Sequence, residues 1–206
     1  MITSKHVLFG AVLAGCAVLS SGTAFAQMQA GLLGKQYVQA AYFTEDIRKP
    51  SNIDNGNGAS FGVNLPLMPN VDLGLGGYYE SISTNDFTNK RLTATVTGYQ
   101  EVNGFKPFID VSLASDWQSS SYRGVDYSKT TGVYALGVGV EAPVSDNTAL
   151  FGRIAYNKYF NGMTSRYYTY AFGFNHWFTP KVAGMASVSF WENDSVTYSV
   201  GLGYRF

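Results

Sequence analysis

From about residue 35 onward the chain alternates between apolar and small or polar positions, in stretches separated by turn chemistry. The last stretch, VTYSVGLGYRF, divides most cleanly. One set of positions is Val196, Tyr198, Val200, Leu202, Tyr204 and Phe206; the other is Thr197, Ser199, Gly201, Gly203 and Arg205. Successive side chains of a strand point to opposite faces, so this strand has one apolar, aromatic face and one small, polar face. The same period predicts ten strands, at roughly 35–45, 57–67, 71–82, 90–100, 105–117, 130–142, 147–159, 166–177, 181–191 and 195–206. If two of the weaker segments are extended loops, the number falls to eight.

The division repeats from strand to strand. Phe61, Val63, Leu65 and Leu67 share a face, as do Ile109, Val111 and Leu113, then Tyr134, Leu136, Val138 and Val140, then Tyr168, Tyr170, Phe172 and Phe174. Opposite them stand Ser60, Gly62 and Asn64; Asp110 and Ser112; Gly137, Gly139 and Glu141; and Thr169, Ala171, Gly173 and Asn175. A soluble sandwich also alternates, with its apolar face inside. Here the apolar faces are strongly aromatic and the opposite faces are glycine-rich with few charges, which favours hydrocarbon outside and a polar interior.

The connections alternate as well. Met68–Asn70, Val102–Gly104, Pro143–Asn147 and Thr179–Pro180 are compact, whereas Asp46–Gly56, Ser83–Asn89 and Gln118–Lys129 are longer and more polar. Asn161–Ser165 and Glu192–Asp194 are shorter members of this second set. Each stretch reaches the ~9–11 residues that a tilted strand needs to cross a bilayer. Short turns on one side and longer loops on the other are the pattern of outer-membrane barrels, with both termini in the periplasm. Tyr79, Trp117, Tyr156 and Tyr204 fall where an interfacial aromatic girdle is expected, whereas Trp177 and Trp191 have inward parity.

The first 26 residues are not read as part of the fold. Lys5 and His6 precede an apolar run from Val7 to Leu19, and Ala24-Phe25-Ala26 supplies a cleavage site, so residues 1–26 read as a secretory signal peptide and 27–206 as one barrel domain. Leu13-Ala14-Gly15-Cys16 offers the alternative of lipidation at Cys16. Cleavage after Ala26 removes the only cysteine and leaves thirteen basic against fourteen acidic residues, a net charge of −1. That is no nucleic-acid footprint.

With these features assembled, the chain resembles the small Gram-negative outer-membrane β-barrel proteins, a porin-like family. The resemblance covers the whole mature region, and its most specific residues are Tyr204 and Phe206, where a terminal Phe closes an alternating strand. It implies a closed antiparallel up-and-down transmembrane barrel, export through the periplasm, and outer-membrane lipid as surroundings. It further implies that Tyr204 and Phe206 act as the signal read by the barrel assembly machinery.

Candidate chemistry is sparse. His176 is the only mature histidine, has outward parity, and has no serine beside it in sequence. Asp110 and Asp116 share an inward face but stand about 20 Å apart along a strand, too far to act as one acid–base pair. The glycines of LGLGG (73–77) sit inside a strand, not before a helix, so they do not make a phosphate loop. No catalytic residue, cofactor or metal-ligand cluster is expected, with calcium at acidic loop sites as the one alternative left open. The lumen charges are Asp72, Glu80, Arg91, Lys106, Asp110, Glu141, Arg153 and Arg205, of mixed sign, which predicts bracing ion pairs or a charge filter.

Ten strands lie near the filled end of the barrel series, since about eight leave room only for side chains and about 16–18 leave a water channel. The sequence therefore predicts a non-enzymatic barrel with a structural or narrow porin-like role. Adhesion through loop residues such as Ser119, Ser120, Ser121, Tyr122 and Tyr127 is the alternative, and an outer-leaflet lipid enzyme a more distant one.

Overall fold

A computed structural model describes residues 30–47, 55–122, 125–160, 166–192 and 195–206. The predicted signal peptide and the lipidation alternative at Cys16 lie outside the described residues. Ten strands form: β1 (Tyr37–Ile47), β2 (Gly56–Met68), β3 (Val71–Ile82), β4 (Phe87–Tyr99), β5 (Lys106–Tyr122), β6 (Val125–Pro143), β7 (Thr148–Tyr159), β8 (Arg166–Trp177), β9 (Val182–Trp191) and β10 (Ser195–Arg205). Each pairs antiparallel with its sequence neighbour, and β1 pairs with β10 from Tyr37↔Arg205 to Ile47↔Ser195, closing the barrel. Closure leaves no strand edge unpaired, which a sheet needs when no water can satisfy its backbone. The count is ten, not the alternative eight.

One expectation is corrected. Gln118–Lys129, expected as a loop, continues the β5–β6 ladder through Gln118↔Lys129 and Ser119↔Ser128 to Tyr122↔Val125. The alternation fades there because both faces of the hairpin are polar or exposed, so no apolar side marks the strand. In the same way β4 begins at Phe87, reducing the preceding expected loop to a 3-10 turn at Thr84–Asp86. The Asn103-Gly104 turn follows its chemistry: both residues have positive φ, 52° and 83°, and Val102 and Phe105 exchange backbone hydrogen bonds of 2.8 and 3.0 Å.

The exterior carries the apolar set: Phe61, Leu92, Ile109, Leu113, Leu136, Ile154, Phe172, Val200 and Leu202 are all exposed. Tyr79, Trp117 and Tyr204 are exposed outside as well, while Tyr156 packs on Tyr168 with ring centroids 5.6 Å apart. Trp177 and Trp191 are buried inside. For a barrel in water this distribution is inverted. In hydrocarbon it satisfies both the side chains and the backbone.

Candidate functional site: the occupied lumen

The start of β1 and the end of β10 lie at one mouth of the barrel, here the terminal mouth, where residues 30–36 precede β1. Three layers fill the lumen from this mouth to the distal one.

At the terminal mouth, residues 30–36 fold inward as a plug. Leu32 is fully buried among Tyr37, Phe151, Ala171, Trp177, Ala183 and Met185, and Leu33 packs on Phe108 and Tyr99. The backbone of this short segment has no strand to pair with, so the barrel wall supplies its partners. Leu32 N donates to Glu141 Oε2 at 3.2 Å, Gly34 N donates to Asp72 Oδ2 at 2.8 Å, and Gly31 O accepts from Trp177 Nε1 at 3.2 Å. Asn64 Nδ2 donates to Lys35 O at 3.1 Å and to Asp72 Oδ2 at 3.1 Å, and Lys106 Nζ donates to Leu33 O at 3.3 Å. Lys35 donates to Gly31 O at 2.9 Å and lies 4.7 Å from the centroid of the Trp177 ring. Burial pulls the Lys35 ammonium down to about 8, helped by repulsion from Arg205 and opposed by Glu141.

Ion pairs between wall strands brace the middle and distal layers. Arg153 on β7 grips Asp110 on β5 with Nε at 2.7 Å and Nη2 at 2.5 Å. Arg91 on β4 grips Asp116 on the adjacent β5 through Nε and Nη2, the latter at 2.7 Å. These four residues are no more than 2% exposed, so the paired charges are shielded from water. Nearby, the Thr95 and Ser112 hydroxyls share a hydrogen bond of 2.8 Å. The distal half is filled by Phe43, Tyr78, Val133, Tyr159, Tyr167 and Trp191, with Phe43 and Tyr78 edge to face at 5.9 Å and Tyr167 stacked on Trp191 at 5.6 Å. Ile47, Ile82 and Phe87 cluster beyond them.

Inward glycines give this filling its room. A Cβ on Gly139 would run into the Phe108 ring and one on Gly173 would stand 2.6 Å from the Phe151 ring. Large side chains thus lie across glycines of neighbouring strands, which is how a narrow barrel accommodates both.

The eight charges singled out in the sequence fall in different places. Asp72, Lys106 and Glu141 hold the plug, and Arg205 is exposed at the terminal mouth beside its cross-strand partner Tyr37. Asp110 and Arg153 form one pair. Arg91 has Asp116 as its partner, while Glu80 faces Glu45. Sequence reasoning missed Glu45, although its parity with Tyr37 and Phe43 carried the signal. It also missed the plug, for which the sole cue was the apolar pair Leu32-Leu33 between Gly31 and Gly34 outside any alternating stretch.

His176 is outside this arrangement. It has outward parity at the terminal end of β8, with Nδ1 2.8 Å from Thr148 Oγ1 and its ring edge-on to Phe178. Among the described residues, no three His, Cys, Asp or Glu side chains gather to hold a metal.

No protein-family model matches the chain, and no characterised protein matches it by sequence. Among solved structures it is similar to the translocator domain of the autotransporter NalP from Neisseria meningitidis, at 14% identity and a TM-score of 0.53, over 98% of both chains. The fold is that of an outer-membrane β-barrel. Neisserial surface protein A (16% identity, TM-score 0.48, 83% of this chain and 97% of that one) is a more distant likeness. So is the KdgM porin in complex with disordered oligogalacturonate (14%, 0.42, 82% and 99%). At these scores neither bears on what this barrel does.

Proposed function

We propose that this protein is an integral outer-membrane barrel of structural type, exported through the periplasm, whose lumen is sealed rather than open to solutes. In this reading the terminal mouth faces the periplasm, and the apolar exterior faces outer-membrane lipid. The observation that carries the closed state is the pair of bridges Arg153–Asp110 and Arg91–Asp116, buried on the inner wall of the barrel between the plug and the distal aromatic layer. Charges lining an open pore keep water on one side; these have none. Tyr204 and Phe206, exposed on the terminal side of β10, serve as the assembly signal.

Cell fractionation tests the location: the protein remains with outer membranes after a carbonate wash and migrates faster on a gel when unheated than when boiled. Release into the soluble fraction contradicts the reading. Liposome swelling tests the seal, with sugar entry no faster than through empty vesicles.

A second reading has its own support. β5 and β6 span 17 and 19 residues, against 10–13 for the other strands, and carry a paired hairpin past the distal rim with Tyr127 and Val125 exposed. Such a stiff projection suits surface recognition. If it does, deleting 119–128 abolishes cell-surface binding while leaving the heat-modifiable barrel intact.

A further inference from the structure

One pair of buried carboxylates forms no salt bridge among the described residues. Glu45 on β1 and Glu80 on β3 are both 0% exposed and face each other across β2. That approach exists because β2 presents only Gly56 and Gly58 at this height, paired with Glu45 and Phe43 on one side and with Ile82 and Glu80 on the other. A Cβ on Gly56 would stand 2.8 Å from Glu80 Oε1 and 3.5 Å from Glu45 Cβ, so the two glutamates fill the space above the glycine. Among the described residues, none gives the four carboxylate oxygens a hydrogen bond of normal geometry.

On the other flank, Thr197 of β10 is the direct cross-strand partner of Glu45, and Ser195 is its inward neighbour one pleat along. Both are 1% exposed, and among the described residues neither hydroxyl oxygen has a hydrogen bond of normal geometry. Two nearby donors have partners of their own. Arg91 is gripped by Asp116, and Asn89, opposite Glu80, donates its amide to Tyr78 Oη at 2.7 Å. Phe43 and Tyr78 lie one pleat below the glutamates and Ile47 and Ile82 one pleat above, so water is shut out along the lumen.

We propose that Glu45, Glu80, Ser195 and Thr197 form a binding site for one hard divalent cation of calcium's class. The donor set is oxygen alone, without nitrogen or sulfur, which selects such a cation over a transition metal. Four carboxylate and two hydroxyl oxygens reach the lower end of calcium's usual six to eight ligands, and its flexible coordination suits irregular side-chain placement better than the octahedron magnesium demands. Two formal negative charges match one divalent ion. The donors come from β10, β1 and β3, so the cation clamps the seam where the first and last strands close the barrel. The site stands whether or not the lumen conducts.

Because the site is closed above and below, loading is tested during folding. The full mature chain is unfolded, stripped with chelator and refolded into detergent with terbium as the probe, exciting the nearby aromatics Trp191 and Tyr78. The expected result is sensitised emission saturating at one terbium per chain, displaced by calcium, with at least tenfold weaker binding in Glu45→Gln and Glu80→Gln. Asp126→Asn, on the exposed hairpin, binds like the parent. Calcium present during refolding also raises the temperature at which the barrel loses its fast gel mobility, in the parent but not in Glu80→Gln. Metal analysis of the refolded parent needs no variant: calcium below a tenth of an ion per chain overturns the proposal. So does a Glu45→Gln chain that gains thermal stability equally in calcium and in chelator, since the pair then holds a shared proton instead.

Discussion

Arg153 and Asp110 meet across an intervening strand, and Gly137 on that strand makes the meeting possible. A Cβ at Gly137 would lie 2.6 Å from Asp110 Oδ2 and 2.7 Å from Arg153 Nε, on top of the bridge. Gly137→Ala is therefore expected to destabilise the barrel by about 1–3 kcal/mol through overpacking. Gly152→Ala is the control: its Cβ would meet the Phe172 ring at 3.5 Å, an ordinary contact, and should change stability by less than about 0.5 kcal/mol. Urea unfolding in micelles, followed by gel mobility, measures both.

Removing one partner of this bridge should cost more than removing both charges. Arg153→Met leaves the Asp110 carboxylate buried without its guanidinium, a loss of about 3–5 kcal/mol by the behaviour of broken buried pairs. Asp110→Asn added to Arg153→Met removes that stranded charge and should recover part of the loss. A double-mutant cycle in which the double variant is the least stable would contradict the role assigned to the pair.

Docking of the plug should depend on pH through Lys35. Its ammonium is brought down to about 8 from 10.5 by burial, so between these values the undocked segment holds a proton that the docked one has shed. Docking then strengthens as pH rises from about 8 to about 10.5, and below pH 8 this contribution is constant. Trp177 fluorescence in a Trp117→Phe/Trp191→Phe background reports undocking of Leu32 and Lys35. The urea concentration needed should climb over that pH range in the parent and stay level in Lys35→Met.

Loss of the C-terminal aromatic should act on assembly rather than on the finished fold. Phe206 is 56% exposed and lies beyond the last β10 pair, so its deletion removes little packing. Cells making the shortened chain should accumulate unfolded precursor and show less heat-modifiable barrel, whereas the purified chain should still refold in detergent. Equal levels of assembled protein in cells would contradict the signal role.

The sequence made the barrel legible wherever one face of a strand meets lipid. Val196–Phe206 and Tyr168–Phe174 show the division because hydrocarbon demands an uninterrupted apolar face. Ser119–Lys129 hid its strand character because a ladder in water has no such demand. The lumen was less legible. Parity placed Asp110 and Arg153 inside, but their pairing depends on Gly137 in a third strand, a relation that period 2 does not encode. Leu32 and Leu33 escaped notice because a plug has no period at all; its partners are scattered from Tyr37 to Met185 and converge only after closure.

The most direct test is a planar-bilayer recording of the purified full mature chain, beside a variant lacking residues 30–36. Because the distal layer of Phe43, Tyr78, Val133, Tyr159, Tyr167 and Trp191 and the bridges Arg153–Asp110 and Arg91–Asp116 remain in both, both should show no steady single-channel conductance. A reproducible open level in the parent, sustained at low voltage and scaling with salt, would contradict a sealed lumen.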